Sequence, residues 1–491
     1  MTMRRRRGLS RIGGVLLLVA GLVLVACPRE RGVSGEAAAS PPTGESSREG
    51  GSSAADVEVQ MELEWESTVS LVARQEVGAS VDRLAGFGRI ESARISSGGT
   101  PSEVYEAFRE VVEVASAEER EALLRHESGA VRGYMMQHVV TAQRGSLSAV
   151  RPLLRDETAV EGQVGCVLGQ GTIASRTVEA LCAAGDVAEV LELLEVAAHE
   201  AVPDLLRGRA VVCLSRWRAD RGLTLARPLL RHADGDVRRQ AVSAFTVAGV
   251  VGEAGPLEAM AADEDRGVRA AVATAVARLG GDPAVVEGLL VDEDHYVRMI
   301  AGSAYVEMGP VEEAVVRRLL EDEQARVRNG VAVAMAKHGV LVHLLEPMLL
   351  ADRAEGRIMQ ALAEREDGEL APMMRRLLDA ESGYVRARAT DWLGQRADAG
   401  DLPLLRRQLG APTIGERQQA ARALGRLGDA GSVALLEDLL RRDENPHGRI
   451  AAAEALVAIR GEEARAVLEA AVAVESTWAR ATLQEILSGL D

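Results

Sequence analysis

Apolar residues recur at helical spacing through most of this chain, and residues 289–320 show the pattern most clearly. Between Val297 and Met308 they fall at i, i+3, i+4, i+7, i+8 and i+11, the stripe of a helix buried along one side. Asp294 stands where an N-cap belongs, and Gly309 with the following proline ends the helix. A second, shorter apolar stripe follows, with acids at its start and arginines at its end. The segment therefore predicts two antiparallel helices.

An arginine near the start of the first helix marks a repeat of this unit. The equivalent arginines lie 29 to 32 residues apart. They are Arg176, Arg207, Arg238, Arg269, Arg298, Arg328, Arg357, Arg386, Arg417, Arg449 and Arg480. A period of this length predicts a solenoid, because helices this short must stack on their neighbours to bury their apolar faces. The predicted fold class is all-α: an α-solenoid of stacked antiparallel helix pairs with about 30 residues per repeat, preceded by a small β element.

The segment before the helices has a different period. Residues 57–66 alternate strictly between apolar and polar side chains, which predicts a strand with one buried face. Since a lone strand is not stable, Thr68–Val72 and Gly88–Ile95 are its expected partners. We therefore assign 57–100 to a small β-containing segment and 101–491 to the solenoid.

The first part of the solenoid is less regular. Ser102 is placed to cap a helix over Glu103–Val114, and a repeat-like unit with Arg132 follows. The spacing from Arg132 to Arg176 is 44 residues, so an insertion or half-unit around Glu161–Gln170 interrupts the register. The pattern leaves the structure of that insertion open.

The N-terminus has the three parts of an export signal. Four arginines at positions 4–7 precede an apolar run, and small residues precede Cys27. Leu24-Val25-Ala26-Cys27 resembles the lipobox of bacterial lipoproteins, in which the leader is cut before the cysteine and that cysteine is lipidated. The resemblance implies a signal peptide at 1–26, lipidation of Cys27, and a membrane held through several acyl chains. Pro28 in place of an aspartate favours the outer membrane over the inner one.

Residues 27–56 are rich in Gly, Ser, Ala, Pro and Glu and carry almost no large apolar side chain. Such a segment cannot bury enough surface to fold, so it predicts a disordered tether. The formal net charge of the whole chain is −17, and it becomes −22 without the five arginines of the leader. This charge argues against a nucleic-acid partner.

The helical unit itself resembles a known family. Two leucines, a short acidic loop, Asp-x-x-Val-Arg and a helix ending in glycine are similar to HEAT repeats, in particular the short phycobilin-lyase type. The copies around Arg238, Arg269 and Arg298 match best. Others depart from the pattern: Pro203 and Gln324 replace the acid, and Gly356, Glu416 and Gly448 replace the valine.

The repeated arginines have two interpretations. Each guanidinium could bind loop acids or carbonyls within the stack, or the series could form a positive ladder for an anionic ligand. Acids stand four and six residues before several of the arginines, for example Asp292 and Asp294 before Arg298. We therefore interpret the series as structural, repeat-stacking residues.

Cys182 and Cys213 each follow their repeat arginine by six residues, in a column that alanine otherwise fills in most copies. They are interpreted as small residues at helix contacts. Equivalent positions in neighbouring repeats are expected near 10 Å apart, beyond the limit of about 7 Å between Cα atoms for a disulfide. Cys166 could pair with either. Trp392 occupies the same column, so its surroundings are a candidate pocket or kink, or simply a repacked core.

Known catalytic motifs are missing from the sequence. The eight histidines do not group as metal ligands, and there is no nucleophile elbow, Walker loop or dinucleotide fingerprint. We predict no catalytic residues, metal or cofactor, and no enzyme activity. The leading hypothesis is a membrane-anchored, non-catalytic scaffold in the bacterial cell envelope that binds protein partners. The alternative is an enzyme or chaperone-like factor of the bilin-lyase HEAT type, acting on a bound ligand or client.

Overall fold

A computed structural model describes residues 75–95, 99–142, 147–165, 167–199, 202–351, 356–365, 368–396 and 398–490. Cys27, the leader, the tether and the predicted strands at 57–66 and 68–72 lie outside the described residues. Among the helices that the structure describes, none is both long and apolar enough to cross a bilayer.

The N-terminal part combines helices with a four-stranded sheet. Helix α1 (Gln75–Phe87) leads into β1 (Arg89–Ile95), and β2 (Thr100–Pro101) pairs antiparallel with it. The other two strands, β3 (Ala159–Gly165) and β4 (Val167–Thr172), come from the insertion that interrupts the repeat. The order is β2-β1-β3-β4, with β3 parallel to β1 and antiparallel to β4. The predicted strand at Gly88–Ile95 is therefore present, but its main described partner lies about seventy residues later in the chain.

Three helices lie between β2 and β3. Helix α2 (Glu103–Val114) begins after Ser102, whose hydroxyl accepts a hydrogen bond from the Tyr105 amide, as the sequence predicts. Helices α3 (Ala117–Ala122) and α4 (Gly129–Ala142) follow, and a 3₁₀ segment (Leu147–Arg155) completes this unit. The Tyr134 hydroxyl hydrogen-bonds to the backbone of Glu91, so α4 is tied to β1.

From Ile173 onward the chain is a series of helix pairs, which confirms the predicted solenoid. The first helices carry the repeat arginines: α5 (Ile173–Ala184), α7 (Asp204–Trp217), α9 (Gly235–Ala248), α11 (Arg266–Leu279), α13 (His295–Met308), α15 (Ala325–His338), α17 (Gly356–Ala363), α19 (Gly383–Arg396), α21 (Ile414–Arg426), α23 (Pro446–Arg460) and α25 (Ala479–Ser488). The second helices are α6 (Ala188–His199), α8 (Ala219–Leu229), α10 (Gly255–Glu258), α12 (Pro283–Leu289), α14 (Glu313–Leu320), α16 (Glu346–Leu350), α18 (Ala371–Leu377), α20 (Leu402–Gln408), α22 (Val433–Arg442) and α24 (Arg465–Val474). Each first helix packs on the first helix of the next repeat, and most second helices pack on the first helix of the repeat that follows them.

Local sequence explains the helix ends. Asp234, Asp265 and Asp294 cap α9, α11 and α13 through side-chain oxygens that accept backbone N–H bonds. Pro203 and Gln324, which replace the acid, make no side-chain cap bond. At the other ends, Gly249, Gly280 and Gly339 adopt positive φ, which only glycine reaches without strain.

The first helices approach closely along the alanine column. Ala244, Ala275 and Ala304 are buried there. Cys182 and Cys213 of the same column form a disulfide, with their Cα atoms 5.4 Å apart, so the expected 10 Å separation was wrong. The error was to use the spacing of helix axes: each Cα lies about 2.3 Å from its own axis, so facing Cα atoms on axes about 10 Å apart are only about 5.4 Å apart.

Trp392 is accommodated in the core. Its side chain is 2% exposed and belongs to the main apolar cluster of the solenoid. The Arg396 guanidinium lies over the indole, 3.4 Å from the ring centroid, and also donates to the Arg365 carbonyl. Of the interpretations for this position, the structure supports a repacked core.

Candidate functional site

In several repeats, the arginine near the start of the first helix binds two loops at once. The Arg298 guanidinium donates from Nε and Nη2 to the two carboxylate oxygens of Asp322 in the next repeat, at 2.8 and 3.1 Å. Its Nη1 donates to the carbonyl oxygens of Asp292 and Glu293 in its own loop, at 2.8 and 3.2 Å. The planar fork therefore joins neighbouring repeats through four hydrogen bonds.

Loop acids link these arginines from repeat to repeat, and we call this series of contacts the arginine ladder. The Asp292 carboxylate accepts from Arg269 of the previous repeat, its backbone oxygen accepts from Arg298, and one carboxylate oxygen also accepts the Asp294 amide. Asp263, Asp292, Asp322, Asp443 and Glu475 thus each contact the arginines of two repeats. The two-oxygen pairs described along the ladder are Arg132–Asp156, Arg238–Asp263, Arg269–Asp292, Arg298–Asp322, Arg386–Glu416, Arg417–Asp443 and Arg449–Glu475.

The ladder carboxylates are held ionised. Burial raises the pKa of Asp322, but hydrogen bonds from Arg298 and from the Gln324 amide outweigh it and bring the pKa below its usual value. At Glu475 the hydrogen bonds from Arg449 are the largest cause, and they lower the pKa to about 2. Each pair is therefore a fully charged bond between repeats at neutral pH.

One departure from the repeat pattern has a structural reason in the ladder. Four ladder acids, Asp263, Asp292, Asp322 and Asp443, stand six residues before the next repeat arginine, but Ala411 occupies that position before Arg417. Glu416, which replaces the usual valine, is fully buried and binds Arg386 through both carboxylate oxygens. The carboxylate thus comes from another position in the same repeat.

Other predicted arginines have different surroundings. Arg328 donates to the carbonyls of Asp322 and Glu323, and Arg480 to those of Glu475 and Ala473. Arg207 pairs with Asp204 of its own helix at 3.3 Å. The structure thus does not bring all the predicted arginines into two-oxygen pairs with the next loop.

The loop side of the ladder is an exposed surface, which we call the loop edge. Next to the buried ladder acids lie Glu264, Glu293 and Glu323, with side chains 87%, 91% and 81% exposed. Tyr384 and Trp478, each two residues before its repeat arginine, are 50% and 57% exposed. A shallow recess of about 540 Å³ opens here, lined by Glu264, Asp265, Arg266, Arg269, Glu293 and Asp294. The loop edge therefore presents acids and aromatic rings to solvent.

A second recess lies where the insertion interrupts the ladder, and we call it the α2–α5 recess. Its volume is about 400 Å³, and α2, α4 and α5 line it with Tyr105, Phe108, Gln137, His138, Thr141, Arg176, Glu179, Ala180 and Ala183. Phe108 stacks on Tyr134 with 4.7 Å between ring centroids, and the Tyr105 ring lies 5.5 Å away. The recess therefore combines an aromatic wall with charged and polar groups.

Within the part of the chain that the structure describes, no three His, Cys, Asp or Glu side chains are grouped as metal ligands. Sequence reasoning named Arg176 but missed the rest of the α2–α5 recess. Its lining comes from three helices, and no motif joins their residues. The signals available in the sequence were the 44-residue spacing and the aromatic residues of α2.

Comparison with known proteins agrees with the repeat geometry. The model of the family described as HEAT repeats matches residues 408–488, which contain Arg417, Arg449 and their ladder acids. This stretch is therefore similar to HEAT repeats. The search of curated proteins found no match.

Three solved structures illustrate what this chain is similar to. Yeast importin-β (Kap95p) has a TM-score of 0.45 and 13% identity, covering 89% of this chain and 65% of that chain. The YibA protein of Escherichia coli has a TM-score of 0.32 and 17% identity, and the match covers 58% of this chain and 95% of that chain. Human deoxyhypusine hydroxylase in complex with glycerol has a TM-score of 0.24 and 19% identity, and the match covers 67% of this chain and 99% of that chain. We take no function from these values.

Proposed function

We propose that this protein is a membrane-anchored, non-catalytic scaffold of the bacterial cell envelope that binds protein partners. The carrying observation is the exposed loop edge, where Tyr384 and Trp478 stand at solvent in a chain with only 2% aromatic residues. Exposed tyrosine and tryptophan are typical of binding hot spots, whereas a structural role would bury them. Stacked repeats also form an extended surface on which such residues can contact a partner.

The anchor and the location are parts of this proposal that rest on sequence. The lipobox supports lipidation at Cys27, and Pro28 favours the outer membrane. Radiolabelled palmitate should label the native protein and leave the Cys27→Ser variant unlabelled. Label on the variant would contradict lipidation at this residue.

Protein binding is tested by in vivo cross-linking followed by capture from solubilised envelopes. The native chain should recover a reproducible partner, and the double variant Tyr384→Ser/Trp478→Ser should recover much less of it at equal melting temperature. The matched control is Val474→Ser, since Val474 is 81% exposed but lies outside the aromatic positions. Equal recovery by the double variant would show that the loop edge is not the binding surface.

The alternative from sequence, an enzyme or chaperone-like factor of the bilin-lyase HEAT type, remains a prediction, as does that subtype. A tetrapyrrole absorption band that stays with the purified protein through gel filtration would favour it.

A further inference from the structure

The α2–α5 recess contains a repeat arginine that the ladder does not use. The structure gives Arg176 one hydrogen bond, from Nη2 to the Val160 carbonyl at 3.4 Å, which is long for such a bond. Its Nε is buried and has no hydrogen-bond partner among the described residues. A buried N–H donor without an acceptor is costly, and Arg176 keeps one such unfilled donor beside the recess.

The sequence register explains why Arg176 differs from its equivalents. In four copies the ladder acid stands six residues before the next repeat arginine, whereas before Arg207 that position is Ala201. The nearest helical acid, Glu179, lines the recess but pairs with Arg209 at 3.1 Å. Gly162 of β3 leaves room for the guanidinium, because any side chain at Gly162 would overlap it. Among the described residues, no carboxylate forms an ion pair with the Arg176 guanidinium.

The rest of the recess is suited to an apolar group. Phe108 is 8% exposed and is supported from behind by Tyr134, so its ring has a fixed position. Tyr105 adds a second ring beside it. The volume of about 400 Å³ lies within the usual range of ligand pockets, about 300–1,000 Å³. Gln137 and Thr141 add polar groups that can bond to an amide.

These features call for a ligand that carries a carboxylate and an apolar side chain close together. A carboxyl-terminal residue of a polypeptide has both on one Cα. An aspartate or glutamate inside a chain has a carboxylate, but its own Cα bears no apolar side chain as well.

We propose that the α2–α5 recess binds the free carboxyl-terminal residue of a protein partner, with its carboxylate on Arg176 and its apolar side chain against Phe108 and Tyr105. The proposal rests on the proposed scaffold function, since it identifies one part of the partner.

Calorimetric titration of the full-length chain in detergent tests this. The probes are a hexapeptide ending in phenylalanine with a free carboxylate, the same peptide with an amidated end, and N-acetylphenylalanine. The free acid should bind at least about 10-fold more tightly than the amide, because a bond to a charged group contributes that much. Arg176→Gln should weaken the acid about 10- to 100-fold and leave the weak binding of the amide unchanged.

Two variants separate binding from folding. Arg328→Gln is the matched control, because Arg328 has the equivalent position in α15 and lies outside the recess; it should bind the acid like the native chain. Arg176→Lys keeps the charge but not the fork, so it should bind with intermediate affinity if folding is intact. Melting temperatures are measured for each.

Equal affinity for the free-acid and the amidated hexapeptide would overturn the proposal, as would unchanged binding of the free acid by folded Arg176→Gln. So would the absence of binding of any probe up to about 1 mM, because weaker binding is too weak to matter. Binding of N-acetylphenylalanine without binding of the hexapeptide overturns the assignment to a polypeptide end. The proposed scaffold function can fail separately. If no partner is captured but the purified protein still prefers the free-acid peptide, the scaffold function is contradicted and the proposal for the α2–α5 recess stands.

Discussion

Replacing Arg298 by glutamine should destabilise the solenoid without changing its binding surface. The substitution removes the two bonds to Asp322 and the two to loop carbonyls. It also leaves the Asp322 carboxylate, whose side chain is 11% exposed, without its cation. We expect the free energy of unfolding to fall by about 3 kcal/mol, since breaking a buried pair from one side costs about 3–5 kcal/mol and this pair keeps some contact with water.

The assay is urea unfolding followed by circular dichroism, with hydrogen exchange to locate the change. Arg318→Gln is the control, because Arg318 is exposed on the second helix of the same repeat; it should alter the free energy of unfolding by less than about 0.5 kcal/mol. Added Asp322→Asn should recover part of the loss, since it removes the unpaired charge. Faster exchange should appear in α13 and α15.

Two results would refute the reasoning. If Arg298→Gln is as stable as Arg318→Gln, the ladder does not hold the repeats together. If stability is unchanged while binding of a captured partner falls, Arg298 belongs to a ligand surface and its assignment as a stacking residue is wrong.

Three further predictions address the ladder and the disulfide. Glu416→Val should lower the melting temperature, although it restores the valine of the repeat pattern. Adding Ala411→Asp should raise the melting temperature again, because it returns an acid to the position that Asp263, Asp292, Asp322 and Asp443 occupy in their repeats. If the melting temperature does not recover, Glu416 does not replace an acid at position 411. The pKa of Glu475 is about 2 in the folded chain against 4.5 for a free glutamate, so its ionisation contributes about 3 kcal/mol to the free energy of unfolding. This contribution is present above pH 4.5 and is lost as the pH falls towards 2. Glu475→Gln should therefore make the free energy of urea unfolding less dependent on pH over that range. Cys182→Ser/Cys213→Ser should lose about 3–4 kcal/mol of stability, as expected for a 31-residue separation, and dithiothreitol should then have no further effect on the melting temperature.

The sequence determined the features that depend on neighbouring residues. The period of apolar positions gave the helix pairs, and Asp294 and Gly309 marked the ends of α13. Ser102 marked the start of α2 in the same way. Helix stripes, caps and stops are set by contacts within a few residues, so they can be deduced from the order of side chains alone.

The tertiary structure decided the contacts between distant parts of the chain. The insertion became the strand that pairs with β1, because a strand needs a partner and the sequence does not specify which one. Ala411 stands where other repeats have the ladder acid, and Glu416 supplies the carboxylate instead. This is possible because, in the folded loop, the Arg386 guanidinium lies within reach of position 416 as well. Small residues in the helix contact allowed the disulfide, which the axis spacing alone had excluded. The position of Arg176 in a recess depends likewise on α2, α4 and β3, which meet it only after the repeats have stacked.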